Sequence, residues 1–472
     1  MNKLPDIKKQ FNEWYQEIIY LAEFADHSPV RGAIVIRPYG YAMWENIKDV
    51  LDAKIKATGT KNASFPLLIP ESFLKKEAEH VEGFAPELAV VTHAGGKELE
   101  EPLVIRPTSE TIIHYMFARW ISSWRDLPLK INQWANVVRW EMRPRAFLRT
   151  TEFFWQEGHT AHETKQEATA QTEQMLAEYI DLAQNYLAIP VIAGVKSEQE
   201  KFPGAEKTLT FEGVMQDGKA LQMGTSHLLS QSFAQSFSIQ FQDRNEQLSY
   251  PYLTSWGATT RLIGAVVMVH GDQKGLVLPP KIAPIQVVII PIFKAGESKE
   301  AILDAAQSIE KKLANTVRVH IDYDDHKTPG AKFWHWELKG VPLRLEIGPR
   351  DIAQNKATIA DRLGLNKEAV DLNHIVDYVQ SRLELIQKTM FERAQEQLKK
   401  QWHKAEKLIE FGPLLMEHNG IYETGWCQQD QCEKELKHYQ ATIRCLLPAK
   451  TLKTCFNCDR SSMTDVMVAK SY

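Results

Sequence analysis

Four arginines lie within eleven residues of this sequence, beside acidic and aromatic side chains. Residues 139–157 read RWEMRPRAFLRTTEFFWQE. Apolar residues alternate with Arg139 and Glu141, and a second apolar run follows at 153–155, which predicts a strand, a loop and a second strand. The planar guanidinium of arginine suits the paired hydrogen bonds of phosphate recognition. The stretch therefore favours a phosphate-binding hairpin, and the alternative is a solvated hairpin held by surface ion pairs.

A second candidate anion site lies in SWGATTRLIGAVV, residues 255–267. Gly257 allows a ligand to approach the backbone closely. Arg261 stands at the start of an apolar helix, where the backbone already favours anions. A strand end with one glycine and one arginine is common, so this stretch identifies no ligand by itself.

The cysteines indicate a metal site. All of them follow residue 426, and they form two close pairs, Cys427 with Cys432 and Cys455 with Cys458, with Cys445 between. Two pairs separated by a loop suit a structural tetrahedral zinc ion, and the alternative is four ordinary reduced thiols. We expect Cys445 to be a small buried apolar residue rather than a ligand.

Composition limits the class of protein. The chain has 472 residues, a net charge of −4, 44% hydrophobic and 25% charged residues. These values predict a soluble protein of two to four domains, and any RNA partner would need a local basic surface. The first residues lack the apolar core of a signal peptide, and the run PIQVVIIPIF at 284–293 is too short to span a membrane. The sequence therefore predicts a cytoplasmic protein with no membrane partner.

Periodicity predicts the elements that carry these residues. Up to residue 278, predicted helices alternate with antiparallel strands in an α+β pattern. The helices are expected at 6–24, 41–57, 106–124 and 163–187, and the strands include 62–70, 219–227 and 239–243. A linker at 279–284 precedes alternating strands and helices, which predict a small parallel or mixed sheet. A charged helix at 376–408 then leads to the cysteines.

Taken together, the strand around Pro66, the Arg-x-Glu hairpin and Gly257-x-x-x-Arg261 resemble the three motifs of class II aminoacyl-tRNA synthetases. Longer strings resemble prolyl-tRNA synthetases of the archaeal/eukaryotic-like type. These strings are RPTSET (106–111), NQWANVVRWEMRPRAFLRTTEFFWQEGHTAH (132–162), GKALQMGTSH (218–227), TSWGATTRLIGA (254–265) and WELKGVPLRLEIGPRD (336–351). The resemblance extends from about residue 10 to Tyr472.

The resemblance implies a fold and a reaction. It implies a class II catalytic domain with an antiparallel sheet at 1–283, an α/β anticodon-binding domain at 284–380 and a small zinc-binding domain at 381–472, without an editing insertion. The implied reaction activates L-proline with ATP and Mg²⁺ to prolyl-adenylate and transfers the prolyl group to the 3′ end of tRNA(Pro). It also implies a homodimer in which Pro66 lies at the two-fold interface.

The resemblance assigns roles to individual residues. Arg139 and Arg261 are implied as the catalytic residues. Proline binding is implied for Thr108, Glu110, Arg139, Trp155, Glu157, Phe202 and His227. ATP binding is implied for Arg139, Glu141, Arg149, Thr150, Thr151, Phe153, Gln222, Thr225, Thr259 and Arg261. Anticodon binding is implied for Glu337, Arg344 and Arg350.

Two alternatives come from other classes of function. A tRNA-binding paralogue without catalysis would be expected to have lost Arg139, Glu141 or Arg261, and all three are present. A synthetase for another small amino acid is the second alternative. The threonyl enzyme of this class uses a catalytic zinc held by Cys and His, and no cysteine precedes Cys427 here. The aromatic pocket and the matched strings weigh against the remaining choices.

Overall fold

The computed structural model of the chain describes residues 4–74, 88–293 and 299–472. Helices and mainly antiparallel strands are mixed up to residue 270, as expected for an α+β domain. Its helices are α1 (Phe11–Leu21), α2 (Pro38–Ala57), α3 (Glu110–Trp120), α4 (Lys165–Asp181), α5 (Ser232–Ser236) and α6 (Arg261–His270). Its strands are β1 (Ala25–His27), β2 (Ile34–Ile36), β3 (Lys61–Asn62), β4 (Leu68–Pro70), β5 (Val90–Ala94), β6 (Lys97–Ile105), β7 (Leu129–Val138), β8 (Glu152–His162), β9 (Val191–Val195), β10 (Lys207–Val214), β11 (Ala220–Ser230), β12 (Phe241–Gln242), β13 (Leu248–Ser249) and β14 (Tyr252–Thr259).

A large sheet forms the centre of this domain. Within the described residues it begins with four strands from the C-terminal part, in the order β20 (Trp402–Lys404), β21 (Ile421–Trp426), β23 (Thr464–Ala469) and β22 (Thr442–Leu446). It continues in the order β9-β10-β11-β14-β8-β7-β3. In the antiparallel ladders Glu157 lies opposite both Gln133 and Gly257. Because side chains alternate between the two faces of a strand, residues 155, 157 and 159 share one face and residues 156, 158 and 160 share the other. The second face is closely packed, since a Cβ on Gly158 would come within 2.1 Å of the Trp256 ring.

The predicted strand at 62–70 is not one continuous strand. The structure divides it into β3, which pairs in parallel with β7, and β4, which pairs with β6 in a separate sheet. The residues between β3 and β4 do not continue a strand ladder. The backbone N–H of Phe65 donates to the Gln133 side chain at 3.2 Å, and Pro66 has no N–H to donate. The chain therefore crosses from one sheet to the other at Pro66.

The second part is a five-stranded mixed sheet flanked by helices, within the described residues. The strands are β15 (Val287–Pro291), β16 (Val319–Ile321), β17 (Leu343–Ile347), β18 (Lys356–Asp361) and β19 (Lys367–Asp371), and the helices are α7 (Lys299–Leu313), α8 (Pro329–Leu338) and α9 (Pro349–Ala353). In the order β16-β15-β17-β18-β19, the first three strands are parallel and the last two are each antiparallel to the strand before. Arg362 holds this part to the first through two hydrogen bonds to Asp272, at 2.9 and 2.6 Å.

The C-terminal part continues the large sheet. Its elements are α10 (Ile375–Gln401), β20 (Trp402–Lys404), α11 (Leu408–His418), β21 (Ile421–Trp426), α12 (Asp430–Glu435), β22 (Thr442–Leu446) and β23 (Thr464–Ala469). Leu446 of β22 pairs with Val195 of β9, which joins the two parts edge to edge. Tyr472 packs back on the first part of the chain, where its hydroxyl donates to Asp217 at 2.7 Å. In the described ranges, no helix is long and apolar enough to cross a membrane.

Candidate active site

A cavity of about 480 Å³ opens on the face of the large sheet that carries residues 155, 157 and 159. It brings together the side chains for which the sequence predicted proline or ATP binding, with the exception of Thr151. Those lining it are Thr108, Glu110, Arg139, Glu141, Arg149, Thr150, Phe153, Trp155, Glu157, Phe202, Gln222, Thr225, His227, Thr259 and Arg261. Residues separated by up to 153 positions in the sequence therefore share one cavity.

A buried carboxylate forms the floor of the cavity. Glu157 accepts hydrogen bonds from the Ser109 hydroxyl and the Gln133 amide, and its second oxygen lies 3.2 Å from Nε2 of His159. Burial opposes protonation of His159, but the hydrogen bond and charge of Glu157 and the charge of Glu110 outweigh it, so its pKa is raised. Glu110 accepts in turn from the Thr108 hydroxyl. Two carboxylates are thus held where a ligand ammonium group could bind.

Arg139 stands between this floor and the mouth of the cavity. Its Nε donates to the Pro107 carbonyl at 2.9 Å, which fixes the plane of the guanidinium. The guanidinium carbon lies 5.6 Å from the Phe153 ring centroid and 5.5 Å from that of Trp155. Cation–π contacts at these distances orient an arginine while its remaining N–H groups stay available to a ligand.

Arg261 is the second fixed cation. Nη1 donates to the Gln222 carbonyl at 3.0 Å, and Nε donates to the Leu148 carbonyl at 3.3 Å. Burial, followed by the charges of Arg139 and Arg149, lowers its pKa to about 10. A guanidinium whose pKa is lowered by burial beside other positive charges is stabilised when a polyanion such as a polyphosphate binds next to it. Arg149 Nε lies 3.8 Å from Glu141 Oε2, and the Arg149 side chain is exposed, so a ligand phosphate can replace Glu141 as its partner.

An aromatic wall closes the other end of the cavity. The Phe202 and His227 rings lie 4.7 Å apart, and His227 is held by the Thr208 hydroxyl at 3.0 Å and the Thr225 hydroxyl at 2.9 Å. Burial, and then the charge of His159, lowers the pKa of His227 to about 3. His227 is therefore neutral at physiological pH, and the wall suits a small apolar ring.

The resemblance placed Thr151 in the ATP site, but Thr151 is not among the residues that line the cavity. Its backbone N–H donates to the Gly32 carbonyl at 2.8 Å, and its hydroxyl accepts from the Glu141 backbone at 3.4 Å. Its role in ATP binding remains a prediction.

Sequence analysis missed several residues at the site, among them three polar residues on its strands. His159 and Thr208 line the cavity, and Gln133 contacts Glu157 from the neighbouring strand. A period of two from Glu157 on β8 leads directly to His159, so that signal was present in the sequence. Gln133 and Thr208 lie on other strands, and only the strand register brings them to the site.

The three predicted anticodon residues all lie in the second part of the chain. Glu337 and Arg344 line a small cleft with Trp336 and Arg362, whereas Arg350 is exposed on α9. Glu337 accepts from Lys274 at 3.0 Å. Arg344 pairs with Glu346 at 2.9 Å and lies 4.1 Å from the Phe333 ring centroid. These contacts orient Glu337 and Arg344, and the anticodon roles remain predictions.

The four predicted cysteine ligands converge. The sulfur atoms of Cys427, Cys432, Cys455 and Cys458 all lie within 4.8 Å of one another. Cys427 Sγ lies 3.7 Å from that of Cys432 and 3.8 Å from that of Cys458. Zinc–thiolate bonds of about 2.3 Å place the corners of a tetrahedron about 3.8 Å apart, so the cluster fits a zinc ion. Cys445 is fully buried in a separate apolar cluster, as expected.

Comparison with known proteins gives the family. Residues 91–270 match the tRNA synthetase class II core domain (G, H, P, S and T), residues 286–382 match the anticodon binding domain, and residues 408–472 match the prolyl-tRNA synthetase C-terminal domain. The chain is 50% identical to the proline–tRNA ligase of Acetoanaerobium sticklandii, covering 99% of this chain and 98% of that protein. It is 48% identical to proline–tRNA ligase 2 of Clostridioides difficile, covering 100% and 98%.

A solved structure agrees. The crystal structure of prolyl-tRNA synthetase from Cryptosporidium parvum, complexed with halofuginone and AMPPNP, superposes with a TM-score of 0.94 at 40% identity and 99% coverage of both chains. The agreement includes the core, the anticodon-binding domain and the C-terminal domain. The chain therefore belongs to the prolyl-tRNA synthetase family of class II aminoacyl-tRNA synthetases.

Proposed function

We propose that this chain is a proline–tRNA ligase, which forms prolyl-adenylate from L-proline and ATP and transfers the prolyl group to tRNA(Pro). The observation that carries the proposal is the single cavity in which the carboxylate floor, the aromatic wall and the arginines meet. An ammonium group, a small apolar ring and a polyphosphate are the three chemical features that these surfaces complement. Proline and ATP together supply all three.

In the first step a carboxylate oxygen of proline attacks the α-phosphorus of ATP. A new P–O bond forms, the bond to the bridging oxygen breaks, and pyrophosphate leaves with the electron pair. Arg139 and Arg261 offset the negative charge that develops on the α-phosphate, because their guanidinium groups are already oriented by carbonyl and ring contacts. Magnesium bound with ATP would add positive charge at the phosphates. Fixed geometry and charge supply the catalysis, and no protein nucleophile takes part.

Proline is held at both ends. Glu110 and Glu157 would accept hydrogen bonds from its secondary ammonium, while Trp155, Phe202 and His227 would surround the ring. Phe153 would stack on adenine, and Glu141 would accept from its amino group or lie near magnesium. In the second step the terminal adenosine hydroxyl of the tRNA would attack the prolyl carbonyl and form an ester bond. The bond from that carbonyl carbon to the phosphate oxygen would break, AMP would leave with the electron pair, and the hydroxyl proton would pass to solvent.

The other parts of the chain have separate roles. Residues 1–283 would form the catalytic domain, 284–380 the anticodon-binding domain with Glu337, Arg344 and Arg350, and 381–472 the domain in which the cysteine cluster holds structural zinc. Cytoplasmic translation is the setting in which we expect the enzyme to work.

A homodimer is supported by exposed apolar residues beside Pro66. Leu67 and Leu68 are each about two-fifths exposed, and Trp120, whose ring lies 6.0 Å from that of Phe65, is also exposed. Exposed apolar side chains that adjoin one another are typical of surfaces covered by a partner. A second copy of the chain would cover this surface.

Amino-acid-dependent ATP–pyrophosphate exchange tests the first step. The purified protein would be assayed with ATP and magnesium, without tRNA, against proline, alanine, cysteine, threonine and histidine. We expect exchange mainly with proline. A chain that binds tRNA but supports exchange with no amino acid would instead be a non-catalytic paralogue, although Arg139, Glu141 and Arg261 are all retained in the cavity.

A further inference from the structure

One wall of the cavity belongs to a short connection between β9 and β10, residues 197–203, here called the pocket segment. Glu200, Lys201, Phe202 and Pro203 line the cavity. The backbone N–H of Phe202 donates to the Thr208 hydroxyl at 3.0 Å, and the same hydroxyl lies 3.0 Å from Nδ1 of His227. The position of the Phe202 ring therefore depends on the pocket segment as well as on its contact with His227.

The other end of the pocket segment contacts the C-terminal part of the chain. The Ser197 hydroxyl donates to Glu433 Oε1 at 2.5 Å, and the two residues are only 2% and 6% exposed. Gln199 Nε2 donates to Asp430 Oδ2 at 2.9 Å. Asp430 and Glu433 both lie on α12, the helix that carries Cys432. Two neighbouring hydrogen bonds thus join one short helix to the segment.

The pocket segment is folded so that a shift at Ser197 reaches Phe202. The Ser197 carbonyl accepts from the backbone N–H groups of Glu200 and Lys201, at 3.1 and 2.9 Å. This hydrogen-bonded turn restricts backbone movement between Ser197 and the residues that line the cavity. A buried hydrogen bond to a carboxylate is also among the stronger ones available in a protein.

We propose that Ser197 and Glu433 are positioning residues through which α12 holds the proline-binding wall in place. This inference rests on the proposed function, because it assigns Phe202 to the proline side of the cavity. The cysteine-bearing domain then has a role in amino-acid binding, although neither Asp430 nor Glu433 lines the cavity. Loosening the contact should weaken proline binding and leave ATP binding largely unchanged, because Arg139 and Arg261 are fixed by contacts elsewhere.

The test is ATP–pyrophosphate exchange in the full-length protein, with KM measured separately for proline and ATP. For Ser197→Ala we expect a proline KM raised about five- to tenfold, an ATP KM within about twofold of the original, and a smaller change in kcat. Glu433→Gln should raise the proline KM as well. The double variant should be no worse than the more affected single variant, because both changes remove the same contact. Ser197→Thr, which keeps the hydroxyl, should restore most of the affinity.

Gln401→Ala is the matched control. Gln401 Nε2 donates to the carbonyls of Met215 and Gln216, each at 3.1 Å, so it joins the same two parts of the chain without touching the pocket segment. Its proline KM should stay unchanged. If Glu433→Gln fails to fold, Ser197→Ala, which removes one oxygen and leaves α12 intact, decides the question alone.

Several results would overturn the inference. These are an unchanged proline KM in Ser197→Ala, an equal rise in the ATP KM, or the same proline effect in Gln401→Ala. Each of these results would show that the Ser197–Glu433 contact only stabilises the fold in general. A native protein without proline-dependent exchange would instead contradict the proposed function.

Discussion

Arg444 of β22 donates two hydrogen bonds to the buried carboxylate of Glu212 on β10, at 3.2 and 3.0 Å. Lys196 completes the group, with Nζ 2.8 Å from the other Glu212 oxygen. Burial acts to raise the pKa of Glu212, but the charges and hydrogen bonds of Arg444 and Lys196 outweigh it and hold the pKa below its usual value. The catalytic and C-terminal parts are therefore joined by charges in the interior, beside the strand pairing of β9 and β22.

Removing one of these charges should destabilise the protein strongly. Arg444→Met would leave Glu212 buried with one cation instead of two, and breaking buried pairs in this way costs about 3–5 kcal/mol. We expect a clearly lower urea midpoint, followed by tryptophan fluorescence. Lys407→Met is the control, because its partner Asp459 is fully exposed and such surface pairs contribute little to stability. Equal midpoints for Arg444→Met and the original chain would show that the pair carries no net stability.

His162 should make stability depend on pH. Burial, and then the charge of Lys130, lowers its pKa from 6.5 to about 4. The unfolded chain takes up this proton near pH 6.5, whereas the folded chain does so only near pH 4. The contribution of neutral His162 is therefore complete above pH 6.5 and is lost as the pH falls toward 4.

The measurement compares urea midpoints at pH 7 and pH 5. Between these values the original chain should lose about 1–2 kcal/mol more stability than His162→Gln, which has no titrating group at this position. Parallel losses in the two proteins would mean that His162 titrates normally in the folded state.

The cysteine cluster predicts one tightly bound zinc ion per chain. Elemental analysis of the purified protein should give a ratio near one, and Cys432→Ser should lower both the zinc content and the thermal midpoint, because a structural zinc contributes directly to folding. Cys445→Ser is the matched control, since Cys445 is buried but lies in another apolar cluster. Zinc loss in Cys445→Ser, or full zinc content in Cys432→Ser, would contradict the ligand assignment.

Arg139 should not be replaceable by lysine. Lysine keeps the charge but loses the planar group that contacts the Phe153 and Trp155 rings and donates to Pro107. Because the interaction acts on developing charge, Arg139→Lys should lower kcat for proline-dependent exchange by about 10²–10³-fold. Arg143→Lys, in the exposed part of the same loop, should stay within about twofold. Similar losses in both variants would point to general sensitivity of the loop.

Local patterning predicted the parts of the site that lie on single strands. The second apolar run correctly indicated the strand that carries Glu157, but β7 ends at Val138, so the prediction of a strand through Arg139 and Glu141 was wrong. The residues assigned from the resemblance meet in one cavity, apart from Thr151. Gln133 and Thr208 could not be found in this way, because strand register brings them to the site and register is not visible in a local pattern. His159, in contrast, could have been found from the sequence, because it lies two residues beyond Glu157 on the same strand.

Long-range pairing also explains the errors in the fold. The break at Pro66 depends on which of two sheets each half of that segment joins. The edge-to-edge continuation of the large sheet through Val195 and Leu446 joins residues about 250 positions apart, and local periodicity contains no information about such a pair. The three-part organisation was nevertheless indicated by the change of pattern after residue 279 and by the cysteines.

Charging of a tRNA(Pro) transcript tests the central claim most directly, because it requires the cavity, the tRNA contacts and both chemical steps together. The assay would follow labelled proline into tRNA(Pro), with tRNA(Ala) and a tRNA(Pro) of altered anticodon as controls. We predict ATP-dependent formation of prolyl-tRNA(Pro), with much slower charging of both controls. A protein that exchanges pyrophosphate with proline but leaves tRNA(Pro) uncharged would contradict the assignment as a proline–tRNA ligase.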